Sequence, residues 1–332
     1  MRSKLFKDTG LSPGLPMENA GDTGNGYGNA FRSVALALGL LCVFGVFHPV
    51  HAADLVPLPL DVGFTKTCFA GVNQNDAQAS LKGFMAAVGR KRGYDVRSNV
   101  MVFEDTRSCQ EAVKKKGKQL VIVTAWQYLS MDLKKTMDPV FVPACNGLAG
   151  RKYVILTHKG SGLNNLGDLK GKEITQLEMG SANMGPQWLQ TLLLGSGLGN
   201  PDRFFSKVEV VHKAPSAVLP VFFGNRSACL IDVPAFEIMA ELNPQLKNKL
   251  QIIASSEPYV DDVICLSKDG WDSEEQRSSV IESLADLHRE PAGQQILTLF
   301  KVEKLVPFEE KYLDSLRKLH KTYEEAGKTI KH

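Results

Sequence analysis

The chain of 332 residues lacks the constellations that catalysis usually leaves in a sequence. It has no G-x-S-x-G elbow, no H-E-x-x-H pair and no Walker A loop, which removes the main motif-based cases for nucleophilic hydrolysis, zinc peptidase chemistry and P-loop nucleotide binding. His158, His212, His288, His320 and His332 stand singly. No cysteine has C-x-x-C spacing, so neither a metal site nor a cofactor is expected. The Gly195-Ser196-Gly197-Leu198-Gly199 run follows a helical pattern rather than a strand and reads as a helix stop, not a dinucleotide loop. Charge of one sign is also scarce. Net charge is +3, and without residues 1–52, which carry four basic and three acidic side chains, 35 basic groups face 33 acidic ones. Such a balance supplies no long-range field for nucleic acid or an anionic membrane. No repeat of fixed period is present.

What the chain does have is one uninterrupted apolar run, residues 34–47, with Arg32 before it and Val50-His51-Ala52 after it. This is the pattern of an export signal with cleavage near Ala52, and the run falls short of the roughly 20 residues of a membrane-spanning helix. Met1 and Met17 are both candidate starts. Leu41 precedes Cys42 where a lipobox needs a small residue, so lipidation is not expected. Residues 1–52 are therefore read as leader and signal peptide, the periplasm as the destination, and the remaining 280 residues as the working protein. In that oxidising compartment Cys68, Cys109, Cys145, Cys229 and Cys265 can form disulfides, with at least one thiol left over. Cys68 and Cys109, each following one of two adjacent strands, are expected to pair.

From residue 55 short apolar strands alternate with amphipathic helices, the pattern of α/β layers around mostly parallel sheets. Strands are expected at 58–65, 99–103 and 119–123. Asp76 is a candidate cap for the first helix, and Ser108 with Glu111 a capping box for the second. A second set of units follows, with strands at 173–177, 207–211 and 228–231 and helices starting near Pro186, Pro215 and Pro234, where proline suits the first turn. Extended runs at 152–157, 251–254 and 260–266 suggest that the chain crosses between two lobes twice, near residues 155 and 255. From Asp272 onward it reads as helical. The expected organisation is lobe 1 from 53–155 plus 256–332 and lobe 2 from 156–255, hinged about a cleft.

Ligands of open α/β sheets sit at the carboxyl ends of strands. Small polar residues gather there: Thr124, Ser181 with Asn183, and Ser216 each stand near a helix start, where free N–H groups and the helix dipole favour an anion. Plain capping explains any one of them equally well.

The Asn73 to Asp76 turn, the Gly162-x-x-x-Leu166-x-Asp168-Leu169-x-Gly171-Lys172 segment, the spacing from there to Ser181 and the strand ending in Asp232 together resemble periplasmic solute-binding proteins of the phosphate/phosphite/phosphonate ABC-transporter type. The resemblance runs over nearly all of residues 55–325. It implies a type 2 periplasmic-binding-protein fold, with two mixed or parallel sheets flanked by helices. It further implies a small-molecule ligand, a membrane permease as partner, no catalysis and a monomer. Asn75 in the first turn, Tyr128 as an aromatic of the first lobe, and Asp232 as an acid able to meet a ligand ammonium are ligand residues on the same ground. Ser181 alone keeps a hydroxyl in the anion loop. The ligand class is then a small anion or zwitterion, phosphonate-like, phosphate-like or another oxyanion. A sensory module that signals to a membrane receptor is the alternative.

Overall fold

The computed structural model describes residues 55–69, 72–115, 119–145, 147–178 and 183–329, with side chains to residue 325. The expected signal and its cleavage site lie outside them. The first half runs β1 (Val56–Thr65), α1 (Gln74–Lys91), β2 (Tyr94–Phe103), α2 (Thr106–Lys114), β3 (Leu120–Thr124), α3 (Ala125–Ser130), β4 (Met137–Cys145) and β5 (Leu148–Ala149). The middle holds β6 (Tyr153–His158), β7 (Glu173–Leu177), α4 (Gly185–Gly195), α5 (Pro201–Phe204), β8 (Lys207–Val211), α6 (Ala214–Phe222), β9 (Ala228–Asp232), α7 (Val233–Leu242), α8 (Gln245–Lys249) and β10 (Leu250–Ser255). The chain ends with β11 (Asp262–Ser267), α9 (Glu274–Ala285), α10 (Pro291–Leu299), β12 (Lys304–Pro307) and α11 (Asp314–Thr329).

Local chemistry sets most boundaries, with three departures from expectation. Asn73, not Asp76, caps α1, its side chain accepting from Asn75 N and Asp76 N, because the helix begins two residues before Asp76. Asp105, one turn before the expected box, caps α2 through Ser108 N. The region after Asp272 is not wholly helical: the short apolar run of β12 finds an open neighbour in β4 and extends against it. Pro139 and Pro143 are accommodated inside β4, with Pro139 opposite Cys265 where the register to β11 slips. Such a slip is where a strand tolerates a residue that cannot donate.

Two sheets result. Sheet I has the order β12-β4-β11-β3-β1-β2 with β5 attached to β4, and sheet II the order β10-β6-β9-β7-β8. In sheet I, β1 runs parallel to β2 and β3, while β11 returns antiparallel with Asp262 opposite Thr124. In sheet II, β7 runs parallel to β8 and β9, while β6 is antiparallel with Tyr153 opposite Asp232. Mixed sheets with helices on both faces are the expected α/β layers.

Alternation along β3 divides the first half into two cores. Leu120 faces a layer of β1, α1, α9 and α10 side chains, whereas Val121 and Val123 face α2 and α3. The second of these layers continues into sheet II through Tyr153, Ile155, Trp188 and Leu193, with Leu313, Leu316 and Leu319 among its members. The far face of sheet II is covered by α6, α7 and α8 around Val154, Leu156 and Ile231. No helix among the described residues is long and apolar enough to cross a membrane.

The expected Cys68–Cys109 disulfide does not form: all five described cysteines are free thiols. The reason is the same alternation. Cys68 packs in the layer with Val62 and Phe64, and Cys109 in the layer with Val121 and Val123, on the other side of the sheet.

Candidate functional site

The carboxyl ends of β1 and β3 share one edge of sheet I, and those of β7, β8 and β9 share one edge of sheet II. Two crossovers join these edges, residues 150–152 and 256–261. Ala125 N donates to Asp261 O at 2.8 Å on one side, and Val233 N donates to Lys152 O at 2.8 Å on the other. The crossovers pair with each other through an antiparallel bridge of Arg151 with Tyr259. Gly150 permits this close approach, since at φ of 99° any Cβ would meet the Tyr259 carbonyl at 2.9 Å. Helices α1, α3, α4, α6 and α7 each follow a strand at these edges, so their N-terminal N–H groups, suited to anions, gather there.

At the sheet I edge, beside the buried Asp262, uncharged polar groups close a network. Thr124 caps α3 by accepting from Gln127 N, and Gln127 Oε1 accepts in return from Thr124 N in a capping box. The same Gln127 oxygen accepts from Thr65 Oγ1 at 2.6 Å and Thr67 Oγ1 at 3.0 Å. One amide thus locks the ends of β1 and β3 together.

The crossovers carry buried charge. Arg151 Nε donates to Asp261 Oδ2 at 2.5 Å, with side chains 13% and 8% exposed. The neighbouring carboxylate holds the Arg151 guanidinium firmly in its charged form. Burial raises Asp261, against the opposing pull of Arg151. Asp261 Oδ1 is buried and has no hydrogen-bond partner among the described residues. Asp232 is buried, caps α7 by accepting from Ala235 N at 3.0 Å, and lies within the field of Arg151, Tyr153 and Asp261. Tyr153 Oη accepts from Met184 N at 3.0 Å and so fixes the start of α4. Burial keeps its hydroxyl protonated.

These contacts sort the expected site residues. Thr124 and Asp232 lie at facing edges, each beside a crossover. Asn75 sits exposed in the first turn of α1. Asn183 spends its side chain on local structure, donating to Leu177 O and accepting from Gly185 N. Ser216 is exposed in the first turn of α6. Ser181 lies outside the described residues. Tyr128 does not join them: only 3% exposed, it packs against Phe308, and its hydroxyl points into the core with no partner among the described residues. As the fourth residue of α3 it is turned back over the sheet instead of toward the strand ends. Sequence reading missed Thr65, Thr67, Gln127, Arg151 and Asp261. Gln127, three residues after Thr124, carried a readable capping-box signal; the Arg151–Asp261 pair, 110 residues apart, carried none. Among the described residues no cluster of three or more His, Cys, Asp or Glu can hold a metal ion.

The family model described as ABC transporter, phosphonate, periplasmic substrate-binding protein matches residues 69–313. Among solved structures, the chloride-bound protein XAC2383 from Xanthomonas citri is similar with a TM-score of 0.55 at 15% identity, covering 82% of this chain and 99% of that one. PhnD1 from Prochlorococcus marinus, solved with methylphosphonate, is similar with a TM-score of 0.52 at 16% identity, covering 80% and 98%. A binding-protein component of an ABC phosphonate transporter from Pseudomonas aeruginosa follows with a TM-score of 0.50 at 13% identity, covering 81% and 88%. At such identities the structural likeness establishes the fold, that of type 2 periplasmic binding proteins. No curated protein matches the sequence.

Proposed function

The chain belongs to the periplasmic substrate-binding protein family of phosphonate ABC transporters, and from that premise we propose that it captures a phosphonate-like or phosphate-like anion, or a zwitterion bearing one, where the edges of its two sheets meet. What supports this reading is that α1, α3, α4, α6 and α7 each begin after a strand whose carboxyl end lies on an edge joined by the crossovers, and that the crossovers hold a buried guanidinium. Helix N-termini and a charged donor are what an oxyanion requires once water is removed.

In this reading residues 53–155 with 256–332 and residues 156–255 act as lobes that rotate about the crossovers. A ligand that touches both edges shifts the equilibrium toward the closed arrangement by its differential affinity for that state. Thr65, Thr67 and Thr124 supply hydroxyls from one side. Ser181, and the first turns of α1 with Asn75 and α6 with Ser216, supply donors from the others. Asp232 then discriminates, favouring a ligand with an ammonium group and opposing a bare dianion. Cleavage near Ala52 releases a monomer that hands its ligand to the permease and carries out no chemistry and no nucleic-acid binding of its own. A transporter component is what the family match describes, which does not favour the sensory-module alternative.

Calorimetry and thermal shift of residues 53–332 with inorganic phosphate, methylphosphonate and an aminoalkylphosphonate test this. A true ligand at about 100 times its Kd adds about 2.7 kcal/mol of stability. If none of the three binds saturably, the reading is wrong. Asp232→Asn should weaken a ligand that carries an ammonium and leave a purely anionic one equal or tighter.

A further inference from the structure

The layer between sheet I and the helices α1, α9 and α10 contains a hollow of about 120 Å³, walled by Val62, Ile122 and Ile264 from the sheet, Phe84 from α1 and Phe300 after α10. A second hollow of about 60 Å³ shares Phe84, Met85, Leu120 and Leu284 with it. Cys68 and Asp262 alone bring polar side-chain atoms to the larger wall, and both are committed. Cys68 Sγ lies 3.6 Å from Asp262 Oδ1, 3.6 Å from Ile122 O and 3.4 Å from Thr65 Oγ1. Burial keeps the thiol neutral. The strand amides around it are paired within the sheet. A water molecule needs two to four polar partners to settle in a cavity, so this lining holds water poorly.

A dry cavity loses dispersion contacts along its whole lining, and an apolar molecule of the right size restores them. An apolar cavity of about 150 Å³ in another protein accepts benzene. We propose that this hollow is a second ligand site, separate from the polar edges, for a small apolar molecule: an aromatic ring or alkyl group of about six to eight carbon atoms. Entry is at the rim, where Leu81, Leu284, Val302 and Leu305 are half-buried, whereas Phe84, Ile296 and Leu297 are buried. Phe64, Phe69 and Phe300 form an aromatic group beside it, with ring centroids 5.0 to 6.4 Å apart, so a ring guest finds edge and face partners.

Benzene is the probe. It should raise the melting temperature of residues 53–332 saturably, with a Kd on the order of 1 mM, and should bind whether or not methylphosphonate is present. Leu81→Phe with Val302→Phe, at the half-buried mouth, fills the hollow and should weaken benzene at least about tenfold while leaving the circular dichroism and the phosphonate response unchanged. Xenon-pressurised crystals of the unmutated chain give a readout that needs no variant, with density expected between Phe84 and Ile264. A linear, unsaturable response to benzene, equal binding by the filled variant, or an empty hollow under xenon each overturns the proposal. Failure of all phosphonates and phosphate to bind leaves it untouched, so the two readings fail separately.

Discussion

The edge of sheet I and the crossovers beside it bury polar groups in opposite ways. At the sheet I edge, Thr65, Thr67, Thr124 and Gln127 close a neutral network in which one amide oxygen accepts from several donors. At the crossovers, Arg151 and Asp261 meet as ions, Asp232 stands near, and one carboxylate oxygen is left over. A neutral network of this kind holds strands in register at modest cost if one member is lost. A buried ion pair is intolerant: either partner alone is a charge in a medium that cannot solvate it. The difference teaches where the molecule keeps its buried charge, which is in the two short segments that join the sheets.

The largest effect should follow Arg151→Ala, which strands Asp261 and should cost about 3 to 5 kcal/mol in urea unfolding. Arg151→Met with Asp261→Leu should return most of that loss. A single variant that costs under about 1 kcal/mol would place the pair among weak surface bridges and erase the contrast. Next, Tyr153→Phe leaves the buried Met184 amide without its acceptor, and a loss of about 1 to 3 kcal/mol is expected by the same measurement. Gln127→Ala removes the neutral network's shared acceptor and the capping box, for about 0.5 to 2 kcal/mol. Equal costs for Gln127→Ala and Arg151→Ala would show that the two regions are not built differently.

The smallest effect sharpens the comparison at a place where a carboxylate is solvated. Asp168 accepts from Asn164 N and Asn165 N, and these backbone donors hold its pKa below the ordinary 3.8. Its contribution is therefore present above that value and is lost as the pH falls through the depressed folded value. The melting temperature of Asp168→Ala should lie slightly below that of the parent at neutral pH and converge with it in strong acid. Convergence at neutral pH would show that the turn does not depend on the charge.

Much of this architecture was readable because it is local. The short strand patterns at 173–177 and 207–211 became β7, almost wholly buried, and β8, a half-exposed edge strand, and Pro186, Pro215 and Pro234 announce helix starts within a turn. What could not be read depends on partners remote in sequence. β12 extends only because β4 offers an edge about 160 residues earlier in the chain. The Cys68–Cys109 expectation failed because adjacency in strand order says nothing of which face a residue takes. The candidate site was half legible: Thr124 and Asp232 reach the facing edges, while Tyr128 turned into the core and Arg151 and Asp261 gave no sign of meeting. Strand-end logic identifies positions along a chain, not the direction in which a helical side chain leaves it.

Helix α11 packs on α4 beside sheet II and on α3 beside sheet I, and Ser315 Oγ donates to Pro258 O in the second crossover at 2.7 Å. It is made after both sheets. Both sheets therefore have all their strands without it, and what it adds is Leu316 and Leu319 to the apolar cluster shared by α3 and α4. α11 is thus a latch laid over the seam between the two sheets, and a chain cut before Asp314 would leave the apolar faces of α3 and α4 open to water.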